Sequence, residues 1–103
     1  MELELFGERL ASLRLKKKVS AREMSLSIGQ SANYINKIEN KKAFPSMAVF
    51  FYVCEYLEIS QRDFFDDENN DPVQLNELYK KLKKLDERTL SYFTGILDEM
   101  LNK

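Results

Sequence analysis

One stretch, residues 20–42, constrains the fold more than any other part of this chain. Met24 and Ile28 stack at i, i+4 ahead of Gly29, and Tyr34, Ile35 and Ile38 recur at helical spacing behind it. Ser20 stands where an N-cap belongs, with Glu23 three residues on at the capping-box spacing, and Ser31 holds the corresponding place before the second apolar set. Gly29 is the residue suited to a left-handed turn between them. The pattern predicts two short helices, over about residues 21–28 and 32–39, joined by a glycine turn.

Further helices flank this pair. Leu3, Phe6, Leu10 and Leu13 mark one face of a first helix, which the run Lys16-Lys17-Lys18 should end, since cations suit the negative end of the helix dipole. After Pro45, Ser46 is a good N-cap for a helix whose wide apolar face of Met47, Phe50, Phe51, Cys54 and Leu57 would form the centre of the core. Ser60 caps a short fifth helix that delivers Phe64 and Phe65. The acidic, amide-rich run from Asp66 to Pro72 reads as a solvated linker.

Beyond it lie two more apolar periodicities, Leu75, Leu78, Leu82 and Leu85, then Leu90, Phe93, Leu97 and Met100. Five residues separate the sets, so one straight helix could not keep both on one face. A break at Asp86, itself a plausible N-cap, gives a helical hairpin; a single bent helix is the alternative. Either form carries an apolar stripe that needs the first domain or a second chain to cover it.

Composition narrows the class. A hydrophobic fraction of 44% and a charged fraction of 32% suit an ordinary soluble protein. The longest apolar run, residues 47–54, falls well short of the ~20 residues of a membrane span. The acidic start is unlike a signal peptide, and the single Cys54 cannot form an internal disulfide, which together point to the cytosol. With no histidine, no glycine-rich phosphate loop and no EF-hand spacing in the acidic run, neither catalysis nor a metal or other cofactor is indicated. The net charge of -1 hides a division: residues 9–42 carry nine basic and two acidic side chains, a balance of +7, and residues 43–79 carry one basic and eight acidic, a balance of -7. The positive side coincides with the paired helices.

From Arg9 to Ser60 the chain resembles the phage-repressor and Cro type of helix-turn-helix protein, the Xre family. The resemblance rests on Arg14, Ser20, Met24, Gly29, Ser31, Tyr34, Ile35, Glu39, Pro45-Ser46, Leu57 and Ile59-Ser60, and above all on the string Tyr34-Ile-Asn-Lys-Ile-Glu39. It implies an all-α protein. A five-helix lambda-repressor-like DNA-binding domain would occupy residues 1–66, an acidic linker 67–72, and a C-terminal helical hairpin or bent helix 73–103. The helix at about residues 32–39 would enter the major groove of double-stranded DNA, offering Ala32, Asn33, Asn36 and Lys37 to the bases. Asn33 suits a bidentate bond to adenine and Lys37 a guanine edge or a phosphate. Lys17, Lys18, Ser20, Arg22, Ser31, Asn40, Lys41 and Lys42 are candidates for the phosphate backbone, which fixes register. Arg14 and Glu39 match a family ion pair tying the first helix to the third.

The chain departs from the family pattern at Ala21, where glutamine is usual, at Ser25 and Cys54, where alanine is usual, and at Lys41, where glycine usually ends the third helix. Asn40 tolerates the left-handed region and could supply that turn instead. The function implied is a dimeric, sequence-specific regulator of a near-palindromic site. Leu75, Leu78, Leu82, Leu85, Leu90, Phe93, Leu97 and Met100 would form the homodimer surface. A protein-interaction module of the same fold, antitoxin-like or anti-repressor-like, is the second reading, and Ala21 and the modest basicity of the third helix favour it.

Overall fold

The computed structural model describes residues 1–66, 68 and 71–102. Among these the chain forms seven helices and no strand: α1 Leu3–Lys17, α2 Ala21–Ser27, α3 Tyr34–Glu39, α4 Met47–Leu57, α5 Gln61–Phe64, α6 Pro72–Leu82 and α7 Glu87–Leu101. Side chains set the starts. Ser20, Ser46, Ser60 and Asp86 each accept the backbone N–H three residues on, at 2.9, 3.2, 3.0 and 2.8 Å. The stops are less usual. Lys18, Lys41 and Glu58 take left-handed backbone at φ 64°, 66° and 60° just beyond α1, α3 and α4, where glycine is the common choice.

One core joins α1 to α5. Phe6, Leu10 and Leu13 meet Met24 and Ile28, Ile35 and Ile38, and Phe50, Val53, Cys54 and Leu57, with Phe64 closing one end. Phe64 stacks 4.9 Å from Phe6 and lies edge-on, 5.1 Å between centroids, to Phe50. The buried stripe of α4 is thus 50, 53, 54 and 57. Met47 and Phe51, expected in the core, are 69% and 48% exposed, as is half of Phe65, because α4 is covered along one side only. Burial pushes the Cys54 thiol up to about 11, which makes it an unreactive core side chain.

Two contacts fix how α1 sits. Gly7 is buried where α1 crosses the end of α3, and a Cβ there would stand 2.8 Å from the Ile38 carbonyl oxygen and 3.1 Å from that of Glu39. Arg9 closes the far side: its guanidinium donates to the carbonyls of Phe64 at 2.7 Å, Asp63 at 2.7 Å and Asp66 at 3.1 Å. The Phe64 carbonyl ends the four-residue α5, that of Asp63 also accepts the Asp66 N–H at 3.3 Å, and that of Asp66 lies just beyond the helix, so the guanidinium gathers the exit of α5 onto α1.

Pro72, read from sequence as the last residue of a linker, is instead the first of α6, behind an Asp71 cap that accepts the Gln74 N–H at 3.0 Å. Residues 67, 69 and 70 of the expected linker lie outside the described residues. α6 packs on α1 through buried Pro72 and Val73. One and two turns on, Asn76 Nδ2 donates to the Glu58 carbonyl at 2.6 Å and Lys80 Nζ to the Glu58 carboxylate at 2.5 Å. The Lys80 bond holds that carboxyl below the usual carboxylate range. Positions 73, 76 and 80 share a helix face that does not include Leu75, Leu78 or Leu82. The strongest apolar stripe of α6 is therefore not the one that docks.

α6 and α7 are two helices divided by a turn at residues 83–86, not one bent helix. Leu82, Leu85 and Leu90 beside that turn are half-buried, but every α7 residue from Ser91 to Leu101 is exposed. The chain is elongated, 48 × 26 × 21 Å, with a radius of gyration of 16.6 Å against the ~13 Å of a compact chain of this size. Among the described residues no helix is long and apolar enough to cross a membrane.

The two helical glycines should respond oppositely to alanine. Gly7→Ala forces α1 off the α3 backbone and should destabilise by about 1–3 kcal/mol. Gly95→Ala, with open space around its Cβ in exposed α7, should stabilise by about 0.5–1 kcal/mol. Urea unfolding midpoints of the two variants check both signs.

Candidate nucleic-acid interface

The candidate surface is built on α3, only six residues long. It begins at Tyr34, two residues later than its sequence suggests. Ser31 makes no cap: Asn33 holds that position with φ -97° and gives no side-chain bond, while the Tyr34 N–H reaches the Ser31 carbonyl at 3.0 Å. The missing cap comes from α2. Ser25, fully buried, donates its hydroxyl to the Ala21 carbonyl at 2.7 Å and accepts the Ile35 N–H at 3.0 Å. A serine at a small buried position was the one signal for this in the sequence.

Gly29, at φ 78°, makes the turn that brings the two helices together. At the other end Lys41, not Asn40, takes the left-handed residue; Asn40 sits at φ -84°. The Lys41 N–H reaches the Ile38 carbonyl at 3.0 Å and the Lys42 N–H that of Lys37 at 3.1 Å, so the helix closes as it would with glycine. A lysine in that conformation carries roughly 1–2 kcal/mol of strain.

Arg14 and Glu39 form a two-pronged pair, Nε to Oε2 at 2.7 Å and Nη2 to Oε1 at 3.0 Å, and Arg14 Nη1 also donates to the Val19 carbonyl at 2.8 Å. The two side chains are only 14% and 12% exposed. The Glu39 hydrogen bond raises the arginine pKa further above its usual range. α1 thereby holds the C-terminal end of α3 while α2 holds its start.

With Ile35 and Ile38 buried and Tyr34 half-buried, α3 turns Asn33, Asn36, Lys37 and Asn40 to solvent at i, i+3, i+4 and i+7, one continuous face. Ala32 is half-buried in the preceding turn. Asn40 Nδ2 donates to Asn36 Oδ1 at 3.1 Å, leaving the Asn36 amide hydrogens to face outward. Ser20, Arg22, Ser31, Lys18, Lys41 and Lys42 are all exposed, and the Lys41 ammonium lies 3.6 Å from Glu8. Lys17 is placed otherwise, over the Tyr56 ring at 5.3 Å, its charge acting on Glu58. Of the basic residues counted along this stretch, Arg9, Arg14 and Lys17, and at the surface Lys41 through Glu8, are thus engaged within the protein. No group of three metal-ligating side chains occurs among the described residues.

A family model described as a helix-turn-helix domain matches residues 7–70, more than half of the chain. No curated protein and no solved structure matches.

Both supports of α3 are open to measurement. Ser25→Ala leaves the Ile35 N–H buried without an acceptor and should cost about 1–3 kcal/mol. Glu39→Ala strands the partly buried Arg14 and should cost as much as ~3–5 kcal/mol. Thermal melts read both, and a Glu39→Ala protein that melts with the parent would refute the structural role of the pair.

Proposed function

The chain belongs to the helix-turn-helix domain family, and on that footing we propose that it is a sequence-specific DNA-binding transcriptional regulator of the Xre, phage-repressor and Cro type, acting as a repressor. One observation carries the reading: the outward face of α3 is polar, uncharged except for Lys37, and held rigid from both ends. A helix so fixed suits the major groove, where Asn33 pairs with adenine N6 and N7, Asn36 donates its amide hydrogens to a base acceptor, and Lys37 takes a guanine edge or a phosphate. Ala32, at the edge of the same face, packs against a thymine methyl.

Ser20 capping α2 and Arg22 in its first turn, Ser31 ahead of α3, Lys18, and Asn40, Lys41 and Lys42 beyond α3 hold phosphates and set register. Lys17 is left out of that set because Tyr56 and Glu58 engage it. The regulator acts as a homodimer joined through α6 and α7, which sets two recognition helices ~34 Å apart on a near-palindromic site.

Lys41 separates DNA binding from stability. Lys41→Gly removes left-handed strain and should raise stability by about 1 kcal/mol. It should also weaken DNA binding and flatten the dependence of log affinity on log salt by about 0.9 for each phosphate no longer neutralised. Selection of bound sequences from a random duplex pool tests the reading as a whole: a palindromic consensus is expected, and Asn33→Ala should relax one base-pair preference worth ~1–3 kcal/mol. No detectable affinity for any duplex at low salt would favour a protein-interaction module instead.

A further inference from the structure

The C-terminal helices leave uncovered far more apolar surface than their attachment to the globule uses. Leu75 and Leu78 on α6 and Phe93, Leu97 and Met100 on α7 are between 45% and 65% exposed. They belong to a set of nine large apolar side chains exposed on these two helices. Their combined area is on the order of the ~800 Å² that each partner contributes to a standard protein interface. α6 docks by its other face, through Val73, Asn76 and Lys80, so its leucine stripe points away from the globule. α7 has no fully buried residue, and beyond Leu90 all of it is exposed.

Charge says what fits there. Residues 72–85 hold Lys80, Lys81, Lys83 and Lys84 against Glu77, a balance of +3, and residues 86–102 hold Asp86, Glu87, Asp98 and Glu99 against Arg88, a balance of -3. A helix with the α6 pattern repels its own kind and attracts one with the α7 pattern, yet within one chain the two stripes do not cover each other. We propose that the occupant is a second copy of this chain, and that the α6 stripe of each protomer packs on the α7 stripe of the other. Two-fold symmetry makes that pairing twice, so four helices cover one another and both charge sets are matched. Pairing α7 with α7 would instead set two net-acidic helices against each other. The inference rests on the dimer reading above and adds to it which helix meets which.

Reversing charge on exposed positions tests it without touching the core. Lys81→Glu with Lys84→Glu makes both helices acidic, and Asp98→Lys with Glu99→Lys makes both basic. Sedimentation at micromolar concentration should find the wild type dimeric, each double variant at least about tenfold weaker in self-association, and an equimolar mixture of the two restored to a dimer. Circular dichroism should find their helix content unchanged. A dimeric wild type whose Lys81→Glu/Lys84→Glu variant associates as tightly or more tightly would overturn the cross-pairing and leave the dimer reading intact. A wild type that stays monomeric would overturn both and leave this face to a different protein.

Discussion

A six-residue helix cannot hold its own shape in water, and the candidate reading surface depends on one. Everything that keeps α3 in place comes from elsewhere in the chain. Ser25 on α2 satisfies the N–H that the missing cap leaves open, and Gly29 supplies the backbone that lets α2 reach it. Gly7 lets the α1 backbone come within contact of the last turn, and Arg14 grips Glu39 there. Ile35 and Ile38 then fill the core, and the remaining face has no structural duty beyond the Asn36–Asn40 bond. Rigidity of this kind lets a small face discriminate, because little ordering entropy is lost when it docks.

Charge is divided in the same way. Four of the cations in the basic stretch have partners within the protein: Arg9 on the end of α5, Arg14 on Glu39, Lys17 on Tyr56 and, at the surface, Lys41 on Glu8. The others on the exposed flanks of α2 and α3 are the ones left to act outward. Lys18, Lys41 and Glu58 put charge into left-handed turns where glycine would cost less. At Glu58 the gain is visible, since its carbonyl and carboxylate together receive Asn76 and Lys80 and so set the direction in which α6 leaves the globule.

Much of this was legible along the chain. The capping serines and Asp86, the left-handed Gly29, the isoleucines committed to the core and the break before α7 all follow from rules that act over a few residues, and local spacing carries them. Where reading by spacing failed, the missing information was a neighbour distant in sequence. Met47 and Phe51 have the periodicity of core residues, but nothing packs over them fully. Ser31 has the chemistry of a cap, but α3 begins two residues late because Ser25 can cap it from across the turn. Lys17 looks like its neighbour Lys18 until α4 brings Tyr56 beneath it.

The sequence by itself determined that residues 20–42 form two short helices around a glycine turn, with Asn33, Asn36 and Lys37 left over once the apolar positions are assigned. Helical periodicity and capping are local, so they can be read from order alone. Only the tertiary structure decided that Ser25 caps α3 from α2, and which face of α6 docks. Val73 is a single valine off the main stripe, and its burial beside Asn76 and Lys80 turns the leucines outward. That choice depends on the space beside α1 and on the left-handed end of α4, which exist only once the chain has folded.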